Sequence, residues 1–384
     1  MANQLTAEDL KKLIISVFSP TNYDRALGIL IDVPDEYRAD HPKWKARRQI
    51  AVSWGAKLSR VKDELGLHKV DAIYYRNVRN NNADLPEMAY FFSGNSASLN
   101  SKLLEANSEP IKFEQVFRNY DIFLAPTEYS ATAPMKLNAP RYHFRAVTMP
   151  GFSDEMLPAL KLDYTEINRR VHILKTLLDP ATALEIQFKV DNLQTYRVTF
   201  DLRHRQAHAS GGLLPDMGSA GNLPSGECYI VPYEGEQGTE SRSNGILPIQ
   251  FDREIVLYRI EKNKAIEVLS QGLISNQEAE KIKLEPAYSN IAEIGFGVLK
   301  DFGIKPINEL LLDEKLGLHI AFGRSDHFGG AVGVKDFTTP ENVVHIDRIY
   351  IPETQNRIHI DWVKLTNPDE SVKVIMENGA YTIL

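Results

Sequence analysis

Near residue 180 the chain changes texture, and this change limits what it can fold into. Before it, helical periods alternate with short apolar runs. Residues 6–18 form an amphipathic stretch that stops before Pro20, with Thr6 and Asp9 placed to cap it. Across 41–64, Trp44, Ala51, Trp54, Leu58 and Val61 recur on one helical face. Strand-like runs follow at Val70–Tyr75, at Asp121–Ala125 before Pro126, and near Phe144–Met149. A further helix is expected over 153–178, opened by Ser153 or Asp154 and stopped by Asp179-Pro180. Strands separated by helices predict an α/β layer on a mainly parallel sheet. After 180, short strands and turns dominate. Leu184–Val190 and Tyr196–Leu202 read as a hairpin, a Gly/Ser/Pro/Asn-rich loop spans 209–226, and Ser275 with Glu278 marks a capping box for a helix around 275–285.

At 384 residues the chain exceeds the size of one core, so two domains are expected. The reading is an α/β N-terminal domain over 1–180 and an α+β, strand-rich C-terminal domain over 181–384. A content of 43% hydrophobic and 25% charged residues is that of an ordinary globular protein. The net charge of -7 argues against a nucleic-acid partner. The basic cluster Lys43, Lys45, Arg47 and Arg48 reads as a solvated helix face. No apolar run reaches the ~18 residues of a membrane span, and Met1 to Asp9 is polar, so a cytoplasmic location without a membrane partner is expected. The single cysteine, Cys228, reads as a buried structural thiol.

The chemistry lies in polar residues isolated inside apolar strands. In Val343-Val344-His345-Ile346-Asp347-Arg348-Ile349-Tyr350, residues two apart share a strand face, so His345 and Asp347 project together. Either they ligate one cation or they are the wet face of a half-buried sheet. Gly317-Leu318-His319-Ile320-Ala321-Phe322-Gly323 places an imidazole in a second apolar strand, and Ile291-Ala292-Glu293-Ile294-Gly295-Phe296-Gly297 places a carboxylate in a third. A Gly-rich turn delivers Glu227 to the mouth of a fourth. A lone buried carboxylate costs several kcal/mol unless paired or bound to a cation, so these groups call for a shared partner. Three carboxylates and two imidazoles suit zinc, cobalt or manganese, and the count serves two ions if one carboxylate bridges.

Four elements, Asn222-Leu223-Pro224-Ser225-Gly226-Glu227, Glu293-Ile294-Gly295-Phe296-Gly297, His319-Ile320-Ala321-Phe322-Gly323 and His345-Ile346-Asp347, stand in this order. The stretch from about 181 to 384 resembles the catalytic half of the aminopeptidase T family of metallo-aminopeptidases, in the thermophilic metalloprotease superfamily. The resemblance implies metal ligands at Glu227, Glu293, His319, His345 and Asp347. Thr199-Phe200-Asp201-Leu202 and Thr148-Met149-Pro150-Gly151-Phe152 are similar to weaker elements of the group, while residues 1–140 match poorly. Where the family usually has a tyrosine after its third element, this chain has Arg324-Ser325-Asp326-His327, leaving His327 or Arg324 to supply a donor. A branch of the superfamily, the 2,5-dihydroxypyridine dioxygenases, implies instead one Fe(II) held by two histidines and a carboxylate; a third reading is a non-catalytic metal-binding protein that kept the site and lost turnover.

The expected chemistry is hydrolysis of a peptide or small molecule at its N-terminal end by metal-activated water, with Glu293 or Glu227 moving the proton and Arg324, Asp326 and His327 contacting substrate or holding their own loop. By resemblance, relatives are dimers, so a homodimer is expected. Arg203-His204-Arg205 with His208 is either an anion site or a solvated segment, and Tyr142-His143-Phe144-Arg145 reads as packing between domains. The loop 211–226 lacks the lysine and helix of a phosphate cradle.

Overall fold

Buried apolar strands organise both halves of the computed structural model, which describes residues 4–384; residues 1–3 of the polar N-terminal stretch lie outside them. The chain divides into two compact units. One comprises Met1–Asn168 with Gly212–Ser225, the other Arg169–Gly211 with Gly226–Leu384. A single cut near 180 does not describe this division. The boundary falls inside the helix Tyr164–Leu178, and the loop expected after the hairpin returns part of the chain to the first unit.

In the first unit, Ala26–Val33 (β1), Lys69–Arg76 (β2), Met88–Phe91 (β3), Glu109–Lys112 (β4), Ile122–Ala125 (β5) and Arg145–Thr148 (β6) build one sheet. Ala220–Asn222 (β10) completes it, in the order β10-β6-β5-β1-β2-β3-β4. The first five neighbours in that order run parallel, while β3 and β4 pair antiparallel, so the sheet is mixed at one edge. β1 is buried along its whole length, as a strand covered on both faces must be. Thr6 and Asp9 close a capping box at the helix Ala7–Phe18, Asp9 N donating to Thr6 Oγ1 at 3.0 Å.

Three local readings change. The helix expected over 153–178 is broken into Leu157–Leu160 and Tyr164–Leu178. Arg47 and Arg48 are not solvated: Arg47 donates to Phe152 O at 2.7 Å and pairs with Glu128, and Arg48 grips Asp40 with two hydrogen bonds. Phe144 and Arg145 belong to the interior of the first unit, Phe144 packing 4.8 Å from Phe123 and Arg145 pairing with Asp24.

The second unit holds two antiparallel sheets. The larger is formed by Ala183–Val190 (β7), Gln194–Asp201 (β8), Asn244–Phe251 (β12), Glu254–Glu261 (β13), Lys264–Val268 (β14), Ile358–Thr366 (β18), Val372–Glu377 (β19) and Ala380–Tyr381 (β20). The smaller is formed by His208–Ser210 (β9), Glu227–Ile230 (β11), Ile291–Gly297 (β15), Leu318–Gly323 (β16) and His345–Ile349 (β17), in the order β17-β16-β15-β11-β9. One face of the smaller sheet carries Cys228, Ile230, Ile294, Phe296, Leu318, Ile320 and Phe322, all fully buried. Tyr258 of β13 meets Phe322 at 5.3 Å between ring centres, which joins the two sheets in one core. The capping box at 275–278 does not form. The helix Leu273–Leu284 starts earlier, with Glu254 accepting from Ile274 N and Ser275 N, and Glu278 is buried beneath Tyr258 and Tyr288. Among the described residues no helix is long and apolar enough to cross a membrane.

Candidate metal centre

The opposite face of the smaller sheet assembles the predicted ligands, and strand register explains how. Tyr229 on β11 pairs with Gly295 on β15, which pairs with His319 on β16. Glu293 pairs with Ala321, and Ala321 with Asp347 on β17; Gly323 pairs with His345. Residues in register, and those two apart along a strand, share a face. Ligands and small residues therefore interleave on one surface. Gly295 is required there: a Cβ at that position would lie 1.9 Å from His319 Nε2. The missing side chain lets the imidazole lie across β15 toward Glu227.

Glu293 occupies the middle. Its Oε1 lies 3.3 Å from His319 Nε2 and its Oε2 3.3 Å from His345 Nε2. His319 Nε2 is also 3.5 Å from Glu227 Oε2, and His345 Nε2 is 3.6 Å from Asp347 Oδ1. One ligand atom from each of Glu227, Glu293 and His319 falls within 4.8 Å of the others, and the same holds for Glu293, His345 and Asp347. All five sequence-predicted ligands thus meet in two groups that share Glu293. Each imidazole is oriented from behind: His319 Nδ1 faces Gly317 O at 3.3 Å and His345 Nδ1 faces Arg324 O at 2.8 Å. Both Nε2 atoms are left for the centre, the arrangement that outer-shell partners give metal-bound histidines.

Burial opposes charge on Glu293, yet hydrogen bonds from His319 and His345 outweigh it and hold the carboxyl well below its ordinary range. Burial likewise works against protonating the imidazoles, but Glu293 and the charges of Glu227 and Asp347 lift His319 to about 9. Asp347 and Glu293 raise His345 in the same sense. The face is built to hold positive charge. Glu227 Oε2 is buried without a hydrogen-bond partner, an orphaned acceptor beside His319. That orphan, the vacated Cβ volume at Gly295 and the oxygen-rich donor set fit a divalent cation.

Two charged groups escaped the sequence reading. Lys315, 1% exposed, donates to Glu227 Oε1 at 2.5 Å and also pairs with Glu314. Burial would lower its ammonium pKa, but the two carboxylates raise it above the ordinary lysine range. Burial raises the Glu314 carboxyl to about 8, Lys315 opposing and Glu227 reinforcing the shift. The signal available was the charged triplet Asp313-Glu314-Lys315 inside an apolar stretch.

The loop after β16 lies against the same face. His327 stands 5.3 Å from His345 between ring centres, and burial with the neighbouring His345 lowers its pKa to about 4. Arg324 turns aside to Asp326, Nε to Oδ1 at 2.6 Å, so its guanidinium is committed to the loop while its carbonyl serves His345. Arg203 pairs with Asp201 at 2.6 Å and Arg205 with Glu236 at 2.7 Å, which ties both guanidiniums to carboxylates of the chain. Burial pushes the Cys228 thiol far up, in keeping with a structural role.

Solved structures match this chain, and two of them do so along almost its whole length. The 2,5-dihydroxypyridine dioxygenase of Pseudomonas putida KT2440 has a TM-score of 0.60 at 15% identity, covering 99% of this chain and 99% of that one. Wild-type AmpT of Thermus thermophilus has a TM-score of 0.56 at 14% identity, covering 98% of this chain and 99% of that one. The fold is shared. No family model and no curated protein sequence matches the chain.

Proposed function

We propose that the chain is a metal-dependent hydrolase of aminopeptidase type, holding two divalent ions (zinc, cobalt or manganese) on Glu227, Glu293, His319, His345 and Asp347. The observation that carries this reading is the placement of Glu293 between two three-donor groups, as a bridging carboxylate requires. Bound there, such ions would lower the pKa of a water to give a nucleophile near neutral pH and would polarise a carbonyl. The chain's own groups do the rest. Lys315 holds Glu227 in place through one oxygen, and the carbonyls of Gly317 and Arg324 fix both imidazoles. Glu293 or Glu227 carries the proton toward the leaving amine, and His327, uncharged at neutral pH, is a second acceptor beside the centre. The substrate class is a peptide or small molecule with a free amine, which the acidic face attracts. A homodimer in the cytoplasm, with neither nucleic acid nor membrane as partner, belongs to the same proposal.

One observation favours a second reading. Lys315 already neutralises one oxygen of Glu227; the donors that remain, His319, His345, Glu293 and Asp347, contain the two imidazoles and one carboxylate that suit a single Fe(II), which supports a ring-cleaving dioxygenase of the 2,5-dihydroxypyridine type. Elemental analysis of purified protein, followed by assays with amino-acid p-nitroanilides plus cobalt and with 2,5-dihydroxypyridine plus ferrous ion and oxygen, separates the two. Two ions with amide cleavage support the hydrolase; one iron with oxygen uptake replaces it.

A further inference from the structure

Beside the centre, five rings form a continuous row. His208 stacks on Tyr229 at 5.1 Å and 20°, Tyr229 meets Phe328 at 4.8 Å, Phe328 meets His327 at 3.9 Å, and both His327 and Phe328 reach His345 at 5.3 and 5.4 Å. Tyr229 lies two residues after Glu227 on β11, on the strand face that bears the ligands. The row differs from the core aromatics of the first unit. Phe117, Phe123 and Phe144 are at most 5% exposed, whereas Tyr229 and Phe328 are half-buried and the His327 side chain is 36% exposed. Ring surface is therefore left open at the edge of the centre. The Tyr229 hydroxyl has no hydrogen-bond partner among the described residues, although burial and the charges of Glu293 and Glu227 raise its pKa beyond the ordinary phenol range.

The loop presenting Phe328 is anchored. Glu234 accepts from Asn290 Nδ2 at 2.7 Å and Ser325 Oγ at 2.6 Å, and from Ala331 N. A fixed loop holds its aromatic ring against His345 before any ligand arrives, which lowers the cost of ordering a binding surface.

We infer that Tyr229 and Phe328 are specificity-determining residues that receive a planar aromatic side chain of the substrate beside the metal centre. Neighbouring rings in the row are inclined by 60° between Tyr229 and Phe328 and 73° between Phe328 and His345, so an incoming ring meets edges and faces in the arrangements aromatic groups favour. With the acidic face alongside, the ligand class is an N-terminal aromatic residue whose amine stays near the carboxylates. This deepens the hydrolase reading and rests on it.

The test measures equilibrium binding of L-phenylalanine hydroxamate and L-alanine hydroxamate to cobalt-loaded full-length protein. A preference for the aromatic probe of about tenfold is expected, the size of an aromatic contact added to apolar burial. Phe328→Ala should reduce that preference to about threefold or less, and Tyr229→Phe, which keeps the ring, should retain it. Equal binding of the two probes by the unaltered protein overturns the inference whether or not any variant folds, as does a preference unchanged in a cobalt-loaded Phe328→Ala protein. Binding of neither probe to protein that holds cobalt removes the hydrolase reading itself, and the inference with it.

Discussion

The carboxylate of Glu293 faces two imidazoles at once, 3.3 Å from His319 Nε2 through one oxygen and 3.3 Å from His345 Nε2 through the other. Glu293→Gln keeps the shape and removes the charge that both groups use. Metal content should fall below that of the unaltered protein, and turnover should drop on the order of 10²–10⁴-fold, the range for losing a proton-transferring group. Elemental analysis with steady-state rates checks this; full metal content and an unchanged rate would remove Glu293 from the chemistry.

Lys315 is the only described lysine whose side chain is shut away between two carboxylates, Glu227 and Glu314. Lys315→Met leaves the buried Glu227 carboxylate without its counter-ion. Unfolding in urea without added metal should show a loss of roughly 3–5 kcal/mol, the usual result of breaking a buried pair from one side. Added divalent cation should recover part of the loss by replacing the missing positive charge. Stability equal to that of the parent, with and without metal, would contradict the arrangement.

A methyl group at residue 295 would occupy the space that the His319 ring now fills. Gly295→Ala should therefore weaken cation binding by about 10–100-fold, as displacing a ligand's support does, while the sheet remains intact by circular dichroism. Competition with a chelator reads the affinity. Unchanged affinity would show that His319 is not a ligand.

In the first unit, burial raises the Asp32 carboxyl to about 6 from its ordinary 3.8, against hydrogen bonds from Glu128 N, Tyr129 N and Trp44 Nε1 that favour its ionised form. A carboxyl with a raised folded-state pKa binds its proton more tightly folded than unfolded. Its contribution to stability is complete below about pH 4 and lost as pH rises through 6, on the order of 3 kcal/mol for a difference of about 2 pH units. The change in unfolding free energy between pH 4.5 and 7 should be more negative for the parent than for Asp32→Asn by an amount of that order. Identical changes in both proteins would exclude the titration.

Strand chemistry in the second unit could be read from the chain because polar residues at period two stand out against β-branched and aromatic neighbours. Glu293, His319, His345 and Asp347 announced themselves in this way, and their convergence follows from register between β15, β16 and β17, which no local pattern encodes. Tyr229 escaped although the same period places it beside Glu227, because a tyrosine in an apolar strand looks like core. Lys315 escaped because only one of its two partners, Glu314, is its neighbour in sequence, while Glu227 is separated from it by 88 residues. Arg47 and Arg48 misled for a related reason, since the acidic partners Glu128 and Asp40 that permit their burial lie outside their helix. The excursion of 212–225 into the first sheet was hidden as well, because its strand Ala220–Asn222 is too short to carry a period.

The interleaving of Gly295, Gly297, Ala321 and Gly323 with the acidic and imidazole side chains gathers those side chains on one floor of paired strands. The five proposed donors are spread over four paired strands, so a register shift in one of them would carry its donors away from the others. The segment pinned by Glu234 carries Phe328 beside that floor and is tied to it through the Arg324 carbonyl, which His345 Nδ1 faces at 2.8 Å. Changes at the rim that keep this carbonyl in place would leave the floor as it stands.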